Sequence, residues 1–240
     1  MARDSIRDSI RGSIVDTLVF DADDTLWENN IYFEQAFEQF VEVLDHSHLN
    51  PRQVREVLDE IELENIRIHG YGSANFGRNL QQCFRVLAQK PFTERELETI
   101  KGLAERILEQ PMQLIDGVAE TLAYLSERHH LILFSKGHPE EQHLKVDRSG
   151  LRPLFHDCRI AREKDTATYQ ALVGEIGLEP EDTWMVGNSP KSDIRPALEA
   201  GLGAVLVPHP HTWSLEHAEL PALSKRFRRV ERFAELKSLF

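Results

Sequence analysis

The 240-residue sequence predicts an α/β fold: a parallel sheet whose chain is interrupted by a helical insert. Three observations predict it. An apolar run over 14–20 stops abruptly at the acidic turn Asp21-Ala22-Asp23-Asp24-Thr25. From about 29 to 111 apolar residues recur at helical spacing and no convincing strand appears. After Pro111 short apolar runs alternate with helical segments, the pattern of right-handed crossovers between parallel strands.

Each element follows from local pattern. The run 14–20 (Ile-Val-Asp-Thr-Leu-Val-Phe) is β-branched and nearly continuous, which suits a central strand covered on both faces. In the insert, Phe33, Phe37, Phe40, Val41 and Leu44 fall at helical spacing. Val54, Val57, Leu58 and Ile61 repeat that spacing behind Pro51, a first-turn proline. Gly70-Tyr71-Gly72-Ser73 breaks the run before a helix over 76–87. Thr93 with Glu96 is a capping box that opens another helix, to about 109. Beyond Pro111, helices over 117–126, 139–148, 167–176 and 194–200 alternate with strands over 131–134, 158–160, 183–186 and 204–207. A basic amphipathic segment, 227–240, closes the fold. The expected organisation is a leader over 1–13, a core of 14–28 with 112–240, and a helical cap over 29–111. Ligands of such sheets bind at the strands' carboxyl ends, and an insert there can act as a lid.

Composition narrows the partners. A net charge of −12 repels phosphate backbones and argues against nucleic acid, whereas a small anionic ligand is compatible with locally opposed charge. Cys83 and Cys158 are the only cysteines, which excludes a disulfide scaffold and a four-cysteine zinc site and suits a reducing cytosol. No apolar run approaches the ~20 residues of a membrane helix. Residues 1–13 carry Arg3, Arg7 and Arg11 and lack the apolar stretch of a signal peptide. The expectation is a cytoplasmic protein without a membrane partner.

Chemistry concentrates at the strand ends. Asp21 and Asp23 stand two apart on extended backbone, so both carboxylates can face one ligand. One can attack while the other passes a proton, as covalent phosphoryl or acyl transfer requires. The plainer reading of the pair is an acidic turn that caps a helix. Strand 131–134 leads into Ser135-Lys136-Gly137, a hydroxyl with backbone N–H groups where a phosphate can sit. Lys164 follows in Arg162-Glu163-Lys164-Asp165, and strand 183–186 leads into Gly187-Asn188-Ser189-Pro190, with Asp193 beyond. Alone, Ser135 reads as a cap, Lys164 as a surface charge and Asp193 as a helix N-terminal acid. Together they place acid, hydroxyl, cation and acid at successive strand ends.

Those residues resemble the haloacid-dehalogenase-like hydrolase superfamily, motif by motif. DxDxT stands as Asp21-Ala22-Asp23-Asp24-Thr25, the strand-ending hydroxyl as Ser135, the lysine as Lys164, and G(D/N)SxxxD as the run from Gly187 to Asp193. The resemblance implies a Rossmann-like core with an inserted cap, and a small phosphorylated metabolite as substrate. It implies attack on phosphorus by Asp21, and proton transfer by Asp23. Ser135 and Lys164 would hold the phosphoryl oxygens. Mg²⁺ would sit among Asp21, the backbone carbonyl of Asp23, and Asn188 and Asp193 of the last motif. Dehalogenases of the superfamily lack an acid at the Asp23 position, so its presence favours phosphate substrates. Asn188 stands where many members carry Asp, which implies weaker Mg²⁺ binding. A phosphotransferase or mutase acting on a sugar phosphate, and a catalytically weak phospho-ligand-binding protein, are the alternative readings.

Outside these motifs the readings are plainer. The Gly70–Asn75 break with Arg78 is either a specificity element or an ordinary loop. His129-His130 and His209-Pro210-His211 lack zinc-peptidase spacing; His209 and His211 follow a strand and read either as residues near the active rim or, more plainly, as surface loop. The basic run 225–229 reads as a solvated segment.

Overall fold

A computed structural model of the chain describes residues 16–45 and 48–240. The leader expected over 1–13, and the first two residues of the 14–20 run, lie outside the described residues. The described strands are β1 (Thr17–Phe20), β2 (His130–Lys136), β3 (Asp157–Ala161), β4 (Thr183–Gly187), β5 (Gly203–Leu206) and β6 (Phe227–Arg229). They form one sheet in the order β3-β2-β1-β4-β5-β6. Every pair is parallel. The helices are α1 (Asn30–Leu44), α2 (Pro51–His69), α3 (Ser73–Leu87), α4 (Glu94–Glu105), α5 (Val118–Ser126), α6 (Pro139–Ser149), α7 (Thr166–Ile176) and α8 (Arg195–Glu199). The described residues divide into two compact units: 16–28 with 112–136 and 142–240, and 29–45 and 48–111 with 137–141.

In the first unit the alternation of a strand decides which face each side chain covers. Leu18 and Phe20 of β1 join Leu131 and Leu133 of β2, Val186 of β4 and the α5 residues Val118, Leu122 and Leu125 in one apolar layer. Val19, between them in sequence, joins Ile132, Met185 and the α7 residues Tyr169 and Leu172 on the other face. Both faces are thus buried, which explains why the strands read as continuous apolar runs. Each fully buried side chain of this size contributes about 1.5–3 kcal/mol. Gly203 is required by packing. A Cβ there would enter the Trp184 ring on the neighbouring strand.

The second unit is helical. Phe37 and Phe40 of α1, Leu58 of α2, Phe76, Leu80 and Phe84 of α3 and Ile100 of α4 pack into its own core. Pro51 opens α2 behind the capping residue Asn50, and Thr93 with Glu96 caps α4 by the reciprocal bonds its sequence predicts. Helix α3 starts at Ser73 rather than at residue 76, because the Ser73 backbone N–H and hydroxyl both donate to the Glu141 carboxylate. A carboxylate on the first turn satisfies a free N–H and complements the helix dipole.

Segment 227–240 closes the fold with β6 and then a 3₁₀ turn over Phe233–Ser238. The basic run 225–229, expected to be solvated, is so only in part: Lys225 and Arg229 are exposed, whereas Phe227 is buried and Arg226 and Arg228 are half-buried. Arg226 donates to the carbonyls of Pro180 and Glu181, and the Arg228 guanidinium lies 4.5 Å from the Trp184 ring.

His129 is buried where α5 leads into β2, 5.9 Å from the Phe240 ring, and neither ring nitrogen has a hydrogen-bond partner. A buried polar group left unpaired costs about 1–3 kcal/mol. His129→Leu is therefore expected to raise stability by about 1 kcal/mol, read as a higher urea midpoint at unchanged slope. A lower midpoint would show that the imidazole is worth more than its desolvation costs.

Candidate active site

The sheet reverses its strand order at β1, which lies between β2 and β4, and ligands of open α/β sheets bind at such a point. The motif residues emerge there. Hydrogen bonding ties the turn after β1 to β4, since the Asp21 N–H donates to the Val186 carbonyl at 2.9 Å. Asp24 adopts φ +59°, which turns the chain back on itself so that its N–H reaches the Trp27 carbonyl at 2.8 Å.

Lys164 is the centre of the site. Its side chain is 1% exposed, and its ammonium donates to Asp21 Oδ1 at 2.5 Å and Asp193 Oδ1 at 2.9 Å. Burial by itself lowers the affinity of Lys164 for its proton; Asp193 and Asp21 outweigh that and leave the ammonium held more tightly than usual. Burial, then the charge of Asp21, pushes the Asp193 carboxyl up against the pull of Lys164. Asp193 Oδ2 accepts the Ser189 N–H at 2.9 Å. Gly187 makes room for that carboxylate, because a Cβ on it would collide with the Asp193 side chain.

Thr25 joins the first and last motifs. Its hydroxyl donates to Asp21 Oδ2 at 2.9 Å and accepts the Asn188 N–H at 3.1 Å. The Asn188 side-chain amide donates to Thr212 Oγ1 at 3.0 Å, and that hydroxyl in turn donates to the His209 carbonyl. A carboxylate at 188 would lose this donor, so the amide is matched to its surroundings.

Asp23 sits apart from Lys164. Its carboxylate accepts from Trp27 Nε1, Gln142 Nε2 and Lys145 Nζ, and Gln142 Oε1 takes the Ser135 hydroxyl at 2.9 Å. Asp21, Lys164, Asn188 and Asp193 therefore form one bonded cluster, with Thr25 linking Asn188, and Asp23 and Ser135 a second, joined through Gln142. Lys136 is turned elsewhere: its ammonium pairs with Glu216 at 2.6 Å and donates to Ser192. Gly137, in the following loop, has φ +148°, a backbone conformation side chains disfavour.

Sequence reasoning missed Trp27, Gln142, Lys145 and Glu216. Gln142 and Lys145 carry a faint signal, polar residues one helical turn apart just after the Ser135 loop. Glu216, far along the chain, carries none. His209 lies in the loop after β5, as expected, but not at the surface. Its side chain is 8% exposed and its Nε2 lies 3.2 Å from Glu28 Oε2, with Asp24 beside it. Burial, opposed by Glu28, lowers its pKa.

The ligand atoms offered around Asp21 are oxygens: the Asp21 and Asp193 carboxylates, joined through Lys164, and the Asn188 amide oxygen, joined to Asp21 through Thr25. That set fits a hard divalent cation such as Mg²⁺ and suits soft metals poorly.

Glu216 is buried, which raises its pKa, yet Lys136 and hydrogen bonds from Lys136, Ser189 and Ser192 bring the net value below the ordinary 4.5. A carboxylate whose pKa falls on folding stabilises the fold above its unfolded pKa and ceases to do so as pH falls through the folded value. Glu216→Gln is expected to cost about 1–3 kcal/mol at pH 7, because Lys136 loses its nearer charge partner and keeps Glu163 at 3.4 Å. The gap between the two proteins should close below pH 4.5, as urea titrations at pH 7 and pH 3 would show. A gap independent of pH would mean that shape, not charge, is what Glu216 supplies.

The sequence and the fold have known relatives. The profile of the haloacid dehalogenase-like hydrolases matches residues 15–201. Human N-acylneuraminate-9-phosphatase is 23% identical over 242 residues, covering 88% of this chain and 94% of the relative. A haloacid dehalogenase-like family hydrolase from Xanthomonas campestris superposes with a TM-score of 0.80 at 26% identity, over 95% of each chain. The HAD-hydrolase YfnB of Bacillus subtilis, solved bound to magnesium, gives a TM-score of 0.68 at 17% identity, over 94% of this chain and 98% of its own. Haloacid dehalogenases share the fold as well. With the profile spanning most of the chain and the motif residues gathered at one end of the sheet, this protein belongs to the haloacid dehalogenase-like hydrolases.

Proposed function

We propose that the protein is a Mg²⁺-dependent phosphatase that hydrolyses a small phosphorylated metabolite. The observation that carries the reading is Asp23: an acid two residues beyond Asp21, held by three side chains. A halide leaves without a proton and needs no such group, whereas an alkoxide leaving from phosphorus does.

The chain's own residues suffice to write the reaction. An Asp21 carboxylate oxygen attacks phosphorus, the bond to the leaving oxygen breaks, and that oxygen takes the proton of Asp23. Asp23, now a carboxylate, accepts a proton from water as the water oxygen attacks phosphorus. The Asp21–phosphorus bond breaks, which frees Asp21 and inorganic phosphate. Lys164 supplies a pre-oriented donor for the phosphoryl oxygens, and Ser135 supplies a second when its hydroxyl turns from Gln142 Oε1 to the substrate. Asp21, Asn188, Asp193 and the Asp23 carbonyl would hold Mg²⁺, which neutralises charge on the phosphoryl group when bound. Magnesium in the Bacillus subtilis structure and the phosphatase activity named for the human relative support this assignment.

The test is phosphate release from p-nitrophenyl phosphate and from a sugar phosphate, with and without Mg²⁺. Turnover should require the metal and fall at least about 10³-fold in Asp21→Asn. Chloride release from 2-chloropropionate without phosphate release from either ester would overturn the proposal. Transfer to a second sugar in place of release would redirect it to a phosphotransferase.

Asn188→Asp tests the metal site. A restored negative charge should tighten Mg²⁺ binding about ten-fold by calorimetry, equivalent to about 1.4 kcal/mol. Unchanged affinity would exclude Asn188 as a ligand.

A further inference from the structure

We propose that Gln142 and Lys145 are positioning residues that lock Asp23 in register with Ser135, an inference that rests on the phosphatase reading. The two lie one turn apart on α6 and so project from the same face. Lys145 Nζ reaches Asp23 Oδ1 at 2.7 Å and Oδ2 at 2.6 Å. Gln142 Nε2 reaches Oδ2 at 2.9 Å and Trp27 Nε1 reaches Oδ1 at 2.8 Å. Donors on both carboxylate oxygens restrict the side chain to one orientation, and an oxygen is free to take up a proton when Lys145, which bridges the two, stays on the other.

Gln142 does more than restrain Asp23. Its amide faces two groups with opposite needs, taking the Ser135 hydroxyl hydrogen on Oε1 and giving its own to Asp23 on Nε2. The group that would pass the proton and the group that would hold a phosphoryl oxygen are thus set at a fixed spacing by one side chain. Burial makes the arrangement stiff: Gln142 is 3% exposed, Lys145 9% and Trp27 0%. A surface ion pair would be worth little, but this one is largely withdrawn from water. Neither residue lies in the motif turns, and neither need touch the substrate to act.

Orientation of a proton donor matters most when the leaving group needs the proton. Lys145→Met and Gln142→Met should therefore lower kcat on an alkyl phosphate by about 10- to 100-fold, within the range of general acid–base catalysis. KM should change less than about 3-fold. On p-nitrophenyl phosphate, whose leaving group departs unaided, the loss should stay below about 3-fold. In an Asp23→Asn background the Lys145 substitution should have no further effect on the alkyl ester. Equal losses on both esters, or a loss carried by KM, would overturn the proposal, since a merely structural role moves both alike.

A second measurement holds whether or not the esters are turned over. Thermal midpoints of the wild type, Asp23→Asn, Lys145→Met and the double variant form a cycle. The double variant should lose less than the sum of the single losses. If the wild type releases no phosphate, the phosphatase reading fails, and an additive cycle would overturn the lock as well.

Discussion

One buried ammonium organises the site. Lys164 arrives on the loop between β3 and α7, Asp21 at the end of β1, and Asp193 in the turn after β4. Three segments far apart in sequence meet at a single charge that is nearly excluded from water. Isolated, that charge would be prohibitive to bury; with two carboxylates around it, the penalty is offset and the geometry becomes obligatory. Two carboxylates that close would repel, and Lys164 is what permits Asp21 to stand beside Asp193.

The remaining polar groups extend the same principle outward. Thr25 couples Asp21 to Asn188, and Asn188 is coupled through Thr212 to the His209 backbone. Glu216 collects Lys136, Ser189 and the turn that carries Asp193. Each group has a partner of the opposite need, so the network withstands burial. A divalent cation near Asp21 would enter a site in which the ligands are already oriented by neighbours, the condition under which supporting residues tune a metal.

Asp23 is held by different means. Its partners come from the turn that follows it and from α6, not from the Lys164 cluster. The nucleophile and the proton-transfer group therefore answer to separate sets of contacts, although only Ala22 lies between them. Such separation lets two carboxylates on one short turn hold different roles, because environment rather than residue type divides the work.

Much of this was legible in the sequence. The apolar runs announced strands buried on both faces, the helical spacing over 29–111 announced a helical unit, and Thr93 with Glu96 marked a helix start. These signals are local, set by the period of strand or helix and by capping chemistry. Asp21, Asp23, Ser135, Lys164, Asn188 and Asp193 were legible because a parallel sheet delivers the residues after its strands to one edge. What only the tertiary structure decided is the pairing of charges. Lys136 and Lys164 are both lysines near strand ends, yet one is turned to Glu216 and the other to Asp21. Glu216 had no local signature, because its partners Ser189 and Lys136 lie 27 and 80 residues away, and the faint signal of Gln142 and Lys145 did not name Asp23, 119 and 122 residues away. Periodicity records which side of an element is buried; which charge neutralises which is determined by distances across the fold, and those exist only once the chain has closed on itself.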